Sequence, residues 1–241
     1  MNTSFTRRQF LHQSVLGAAG LWLGGISVHA AENGARKLSA NEKLNVAVIG
    51  VANQGGWNLS NVASQNIVAL CDVDDNFLAA AAQKFPAAKK YNDFRRLMEQ
   101  SDIDAVLVAT PDHVHAVATI AALQSGRHVY CEKPLTRTIS ECRAVREMAR
   151  KQKKATQLGT QIHAGNNYRR VVEMVQSGVI SQVDEVHVYS GAAYGGKEPP
   201  KETPPVPSNL HWDLWLGPVA ERPYSPEYAP FHWRNWWAFG G

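Results

Sequence analysis

Residues 44–164 are predicted to form an α/β domain with a parallel, doubly wound sheet. Short apolar segments alternate along this region with longer amphipathic ones, as strands alternate with helices. Segments such as Ala105–Ala109 are apolar throughout, which is typical of strands covered on both faces. Gly, Pro or Asp follows most of these segments, where strands would end. A parallel sheet with helices on both faces accounts for all three observations.

The predicted elements follow one another closely. The first strand runs from Leu44 into a turn at Gly50, and a helix begins at Gly55. Thr110-Pro111-Asp112 breaks the fourth strand and caps the next helix, and Glu132-Lys133-Pro134 cuts off the fifth strand. The other predicted strands are 66–71, 89–91, 105–109, 128–131 and 155–158, and the other helices are about 74–85, 93–100, 113–124 and 140–153.

The pattern changes after Gly165. Asn166–Gln176 is predicted to be a helix, and Gln182–Ser190 alternates as a half-buried strand of another sheet would. A proline-rich irregular segment follows. Residues 165–241 therefore indicate the start of a second, sheet-based α+β domain that is incomplete, a partial substrate or oligomerisation domain. Residues 31–43 are expected to be a linker or arm.

The first thirty residues indicate export. Arg7 and Arg8 form a twin-arginine pair, no formally charged residue lies between Arg8 and Glu32, and Val28-His29-Ala30 offers a small-residue cleavage site. We expect residues 1–30 to be a twin-arginine signal peptide, with the export machinery as partner and a periplasmic or otherwise exported product. An uncleaved signal that anchors the protein in the membrane is the alternative.

Charge and cysteine content exclude several classes of protein. Loss of the signal removes two of the 25 Lys and Arg residues and none of the 21 Asp and Glu residues, which leaves a net charge of +2. Nucleic acid and anionic membranes are therefore poor partners. Cys71 and Cys131 would end strands separated by two others, ~14 Å apart, whereas a disulfide spans at most ~7 Å. We expect free thiols.

The first strand and its turn predict a dinucleotide site. Leu44–Gly50 leads into a turn of Ala52, Asn53, Gln54 and two glycines, and Asp72 ends the next strand twenty-two residues after Gly50. Such a turn presents backbone N–H groups to a pyrophosphate, and the acid binds the adenosine ribose. Ala52 occupies the middle glycine position. An acid repels a 2′-phosphate, so NAD is favoured over NADP.

Lys133 is the strongest candidate for a catalytic residue. It follows a buried strand directly and precedes a proline that fixes the turn. There it could polarise a substrate hydroxyl beside the nicotinamide or relay the hydroxyl proton. The alternative is an ordinary surface lysine on a loop.

Several strand-end motifs together resemble the glucose–fructose oxidoreductase, inositol dehydrogenase and MocA family. They are Ile49-Gly-Val-Ala-Asn-Gln-Gly55, Cys71-Asp-Val-Asp74, Ala109-Thr-Pro-Asp-His-Val-His-Ala116, Cys131-Glu-Lys-Pro-Leu135, Gly159-Thr-Gln-Ile-His163 and His211-Trp-Asp-Leu-Trp-Leu-Gly-Pro218. The resemblance implies an NAD-dependent oxidoreductase that acts on a sugar or cyclitol hydroxyl and is a homo-oligomer at full length. It implies that Lys133 is catalytic. It also implies cofactor contacts by Asp72, Thr110, Pro111, His115, Glu132 and Gln161.

The histidines allow more than one interpretation. Asp112, His113, His115 and His163 share no obvious metal geometry, so we expect no metal; a helix cap with one histidine on the cofactor is favoured. His163 follows the sixth strand and either contacts substrate or bonds to a neighbouring loop. The late tryptophans either stack on sugar rings or pack within the protein.

The family resemblance also indicates that two expected catalytic residues are missing. Family members carry an Asp and a His one helical turn apart that complete the acid–base set with the lysine, and no match precedes Gly241. The chain therefore looks truncated, and we expect catalysis by it alone to be impaired. An exported enzyme is expected to hold NAD tightly through its cycle. The alternatives are an NAD-dependent glycosidase or lyase that oxidises transiently, and a non-catalytic nucleotide- or sugar-binding remnant.

Overall fold

The computed structural model describes residues 42–162, 165–191, 194–195, 198 and 200–240. The predicted signal peptide, most of the predicted linker, and His163 lie outside the described residues. None of the helices that the structure describes has the length and apolar character needed to cross a membrane.

A six-stranded sheet has the order β3-β2-β1-β4-β5-β6, and the pairs β1–β2, β2–β3 and β5–β6 are parallel. This is the doubly wound arrangement that the sequence predicted. The strands are β1 Asn45–Ile49, β2 Asn66–Cys71, β3 Lys89–Tyr91, β4 Ala105–Val108, β5 His128–Glu132 and β6 Thr156–Gly159. The helices are α1 Gln54–Asn61, α2 Asp75–Lys84, α3 Phe94–Leu97, α4 Asp112–Gln124, α5 Ile139–Gln152, α6 Asn166–Gln176 and α7 Trp212–Leu216, followed by a 3₁₀-helix at His232–Asn235.

The described residues form two compact units. The first contains the chain up to Val106 together with Val206–Pro223. Its core is the apolar interior of β1 and β2, where Ala47, Val48 and Leu70 are fully buried because helices cover these strands.

The segment Val206–Pro223 is fastened to the end of β2 in this first unit. Leu210 forms an antiparallel bridge with Asp74, and the backbone N–H of His211 donates to the carbonyl of Val73 at 2.9 Å. Asp74 also caps α2, since its carboxylate accepts from the N–H groups of Asn76 and Phe77. The residues just after Asp72 are thereby held in place.

The second unit contains Leu107–Pro205 and the residues from Tyr224 onward. Helix α4 is its most buried helix, with nine buried residues, and α5 begins with a capping box between Thr138 and Glu141. In contrast, every residue of α6 is exposed.

Three local predictions were wrong. Gln182–Ser190 has no regular structure and is exposed, because no strand among the described residues pairs with it and a strand needs a partner for its backbone groups. The helix predicted at Asp93–Gln100 is only the short α3, which ends in turns. Asp112 is the first residue of α4 rather than its cap; Pro111 stands at the cap position and makes no side-chain hydrogen bond.

The cysteine prediction is confirmed: Cys71, Cys131 and Cys142 are all free. Cys71 and Cys131 are buried at the ends of β2 and β5, and burial raises the pKa of Cys131 to about 11. Both thiols are therefore inert packing groups at neutral pH.

Candidate functional site

The turn between β1 and α1 packs its backbone closely against neighbouring backbone. A turn that binds a pyrophosphate needs such a compact backbone. Gly50 has a φ of 84°, in the left-handed region, and its N–H donates to the carbonyl of Cys71 at 2.8 Å. A Cβ on Gly56 would lie 3.1 Å from the carbonyl oxygen of Val51, a tight contact that the glycine avoids where α1 approaches the turn. N–H groups at the start of a helix such as α1 can bind an anion.

The other predicted turn residues lie in the same first unit. Ala52 is half-buried, Asn53 is exposed at the cap position of α1 with a φ of 50°, and Gln54 is the first residue of the helix. The amide of Gln54 donates to Asn58 Oδ1 at 3.2 Å, which fixes its side chain along the helix. All four predicted residues, Gly50, Ala52, Asn53 and Gln54, therefore lie between the end of β1 and the first residue of α1.

Asp72 is held by backbone donors on both of its carboxylate oxygens. Oδ2 accepts from the N–H of Val51 at 2.9 Å, and Oδ1 accepts from the N–H of Asp74 at 3.0 Å. The first bond ties the acid directly to the glycine turn. Burial raises the pKa of Asp72 to about 6, against the lowering effect of these two N–H groups. The carboxylate is therefore positioned and mostly ionised at neutral pH, as an acceptor for two neighbouring hydroxyls would be.

His115 joins two loops of the second unit. Its ring is buried, with Nδ1 at 2.6 Å from the carbonyl oxygen of Pro134 and Nε2 at 2.8 Å from that of Thr110. Both partners can only accept hydrogen bonds. His115 therefore fixes the end of β4 relative to the turn that carries Lys133. Its predicted contact with the cofactor stays a prediction.

Glu132 is the last residue of β5 rather than part of the following turn, and it is buried. Its Oε1 accepts from the hydroxyl of Tyr130 at 3.2 Å, and this carboxylate raises the pKa of Tyr130 to about 12, together with the larger effect of burial. A Cβ on Gly159 would lie 2.6 Å from the Tyr130 hydroxyl and 2.9 Å from the Glu132 carboxylate. The absence of a side chain at Gly159 therefore makes room for this pair.

Lys133 is exposed at the carboxyl end of β5 and lines a cavity of about 180 Å³. Asp112, Pro134, Tyr194 and Arg234 line the same cavity. Burial raises the pKa of Asp112, while the positive charges of His115, Arg234 and Lys133 act in the opposite direction. The sequence indicated Lys133 but not Tyr194 and Arg234, because these two residues lie far from Lys133 along the chain and outside any recognisable motif.

The remaining predicted site residues are placed as follows. Thr110 and Pro111 lie between β4 and α4, where the Thr110 hydroxyl donates to the Pro111 carbonyl at 3.2 Å. Gln161 is exposed just after β6. No cluster of metal ligands occurs among the residues that the structure describes. Trp215 and Trp233 are buried, which favours packing for these two, whereas Trp237 is exposed.

Comparisons with known proteins identify a related family and several relatives. Residues 44–160 match the model of the Gfo/Idh/MocA oxidoreductase family with an NAD-binding Rossmann fold. An inositol 2-dehydrogenase of Salmonella typhimurium is 31% identical over 150 residues, which cover 60% of this chain and 45% of that protein. A glycosyl hydrolase family 109 protein of Solibacter usitatus is 30% identical over 204 residues, which cover 78% of this chain and 45% of that protein.

Solved structures show the same fold. The myo-inositol 2-dehydrogenase of Lactobacillus plantarum is 25% identical with a TM-score of 0.56, over 59% of this chain and 43% of that chain. The chain thus spans less than half the length of the relatives it matches. The matched region holds the glycine turn, Asp72 and Lys133 in the order described above. Residues 44–160 therefore belong to the Gfo/Idh/MocA family of oxidoreductases, with its NAD-binding Rossmann fold.

Proposed function

We propose that this protein uses NAD to oxidise a hydroxyl group of a sugar or cyclitol. The observation that carries the proposal is the position of Lys133, directly after β5 and in the wall of a cavity. NAD fits the residues present, because Gly56 leaves space at the turn and Asp72 presents a fixed carboxylate. Bound NAD supplies the acceptor for a hydride.

Residues of the chain would bind the cofactor, position the substrate and move the proton. Asp72 binds the adenosine ribose, and the N–H groups at the start of α1 bind the pyrophosphate. Lys133 would hydrogen-bond the reacting hydroxyl and relay its proton to solvent as the alcohol is oxidised to a carbonyl, with the hydride passing to bound NAD. His115 keeps the Lys133 turn in register through the Pro134 carbonyl.

A second candidate function is supported by the relatives. The glycosyl hydrolase family 109 relative matches 78% of the chain, more than the inositol dehydrogenase does. A transient oxidation followed by elimination and re-reduction would use Lys133 in the same way and leave no net change in NAD. We propose further that the protein is exported and keeps its cofactor bound through the cycle, since an exported enzyme has no cytoplasmic nicotinamide pool to draw on.

Nicotinamide absorbance tests the main proposal. The NAD-loaded protein is mixed with a panel of sugars and cyclitols, and reduced nicotinamide is followed in wild type, Lys133→Met and Lys151→Met. We expect reduction in wild type and in Lys151→Met, which removes an equivalent charge from the exposed end of α5. Lys133→Met should lower the rate by about 10²–10⁴ while NAD stays bound. Equal rates in wild type and Lys133→Met would show that Lys133 is an ordinary loop lysine without a catalytic role.

The panel also separates the alternatives. Net accumulation of reduced nicotinamide supports oxidation. Cleavage of a glycoside with the cofactor returned to its oxidised form supports the glycosidase. NAD binding without turnover of any panel member would contradict both the oxidoreductase and the glycosidase. It would support a non-catalytic nucleotide- or sugar-binding remnant.

A further inference from the structure

The cavity at Lys133 is built from four separate parts of the second unit. Asp112 is the first residue of α4, Lys133 and Pro134 follow β5, Arg234 lies in the 3₁₀-helix, and Tyr194 belongs to the long segment after α6. At about 180 Å³ it is smaller than the ~300–1,000 Å³ of sites for drug-sized ligands. This volume suits one sugar ring or a substituent of a larger ligand.

Arg234 is the best-anchored cation of this cavity. Its guanidinium lies 4.0 Å from the centroid of the Trp233 ring, and Trp233 is itself buried. A Cβ on Gly240 would lie 3.2 Å from Arg234 Cα, so Gly240 packs tightly against the 3₁₀-helix that carries Arg234. Stacking on the indole restricts the guanidinium and leaves its N–H edge available for hydrogen bonds.

Contacts within the second unit also hold the other walls of the cavity. The backbone N–H of Gly195 donates to Asn235 Oδ1 at 3.3 Å, which attaches the residue after Tyr194 to the same 3₁₀-helix as Arg234. At Asp112, the ring of the adjacent His113 packs against Phe239 at 5.1 Å between centroids. Phe239 is completely buried. Arg234 and Asp112 are therefore both carried by packed, buried neighbours.

The charges at the cavity favour an anionic group on the ligand. The basic side chains of Arg234 and Lys133 line it together with the single acid Asp112, and His115 adds positive charge near that acid. Positive charge is therefore in excess. A phosphate, with its higher negative charge, would be repelled more strongly than a carboxylate by an ionised Asp112. A carboxylate can also accept two parallel N–H bonds from the guanidinium.

We propose that this cavity binds a carboxylate on the substrate through Arg234, so that the preferred substrates are sugar acids rather than neutral sugars. The inference rests on the proposed function, in which Lys133 binds the reacting hydroxyl. Arg234 then fixes the orientation of the ring by holding its acid group, and Asp112 discriminates against more highly charged substituents. Arg234 thus binds the substrate carboxylate and determines the preference for sugar acids.

Matched pairs of ligands test this inference. Glucuronate and glucose, and galacturonate and galactose, are titrated into the NAD-loaded protein by calorimetry or ligand-observed NMR, with glucose 6-phosphate as a further ligand. We expect at least one uronate to bind tenfold or more tightly than its parent sugar and more tightly than the phosphate. Arg234→Gln should abolish that preference. Arg96→Gln, which removes an arginine paired with Glu99 on the surface of the first unit, should retain it.

Two further variants test the inference even if Arg234→Gln does not fold. Arg234→Lys keeps the charge but loses the bidentate edge, so it should retain only part of the preference. Asp112→Asn removes the acid, so glucose 6-phosphate should gain affinity relative to glucuronate. Equal binding of uronates and parent sugars, a preference that survives in Arg234→Gln, or a wild-type preference for the phosphate would overturn the inference.

The outcome also separates this inference from the proposed function. If neutral sugars or cyclitols reduce the bound nicotinamide as well as uronates do, the oxidoreductase proposal stands and the carboxylate site is wrong. If no ligand of either kind reduces it, the proposed function is wrong, whatever the binding preference.

Discussion

Replacement of Asp72 by Asn tests the cofactor site in most detail. The carboxylate receives one backbone N–H on each oxygen, from Val51 and from Asp74. Asn is nearly isosteric, but only its Oδ1 can accept, so its NH₂ group would face one of these two donors. We expect the free energy of unfolding to fall by about 1–3 kcal/mol, the usual cost of a buried donor left without an acceptor.

The substitution should also weaken NAD binding, by an amount comparable to its effect on stability. The wild-type carboxylate can accept charge-assisted hydrogen bonds from the ribose hydroxyls, each contributing about 1.5–3 kcal/mol. Loss of one such bond raises the Kd for NAD roughly 10- to 150-fold. Calorimetric titration of NAD into wild type, Asp72→Asn and Glu99→Gln measures this, the last variant removing an exposed acid of the same unit.

The pH dependence supplies an independent check. The pKa of Asp72 is about 6, above the usual value of 3.8, so the carboxylate that binds NAD is lost as the pH falls through 6. The NAD affinity of wild type should therefore fall about tenfold between pH 7 and pH 5, and that of Asp72→Asn should stay flat over this range. Equal NAD affinity in wild type and Asp72→Asn at pH 8, or parallel pH profiles, would refute this role of Asp72.

Two substitutions test local packing by urea denaturation. Gly159→Ala places a Cβ 2.6 Å from the Tyr130 hydroxyl and 2.9 Å from the Glu132 carboxylate, so these side chains must move and stability should fall by about 1–3 kcal/mol; an unchanged midpoint would show that the pair is not held there. Asp74→Ala removes the acceptor for two N–H groups at the start of α2 and should cost about 0.5–2 kcal/mol. Rescue of that loss by Asp74→Asn or Asp74→Ser is expected, because both residues cap helices, and its absence would assign the effect to the Asn209 contact instead.

The parts of the fold that local sequence determines were predicted well. Strands 66–71 and 89–91 and the helix 166–176 were predicted with the bounds that the structure shows. The other predicted strands differ from the structure by a residue or so at their ends. Periodicity and turn residues specify such elements without reference to distant parts of the chain. The same is true of Asp72, whose place at the end of β2 follows from its distance to the glycine turn.

Features that depend on distant residues were not predictable in this way. The alternation in Gln182–Ser190 is compatible with a strand, but a strand also needs a neighbour, which local sequence cannot supply. Likewise, the cavity depends on Arg234 packing within the same unit as Lys133, one hundred residues earlier. The close approach of Gly159 to Tyr130 and Glu132 arises only from the pairing of β5 with β6.

Isotope transfer shows directly whether the protein moves a hydride from a sugar or cyclitol to NAD. The protein is incubated with NAD and with sugars and cyclitols that carry deuterium on their ring carbons, and the nicotinamide is analysed by mass spectrometry and NMR. We expect deuterium to move from a substrate carbon to the nicotinamide ring, and Lys133→Met to slow this transfer without releasing NAD. Conversion of substrate with no deuterium in the cofactor, or stable NAD binding with no transfer from any of these compounds, would contradict this expectation.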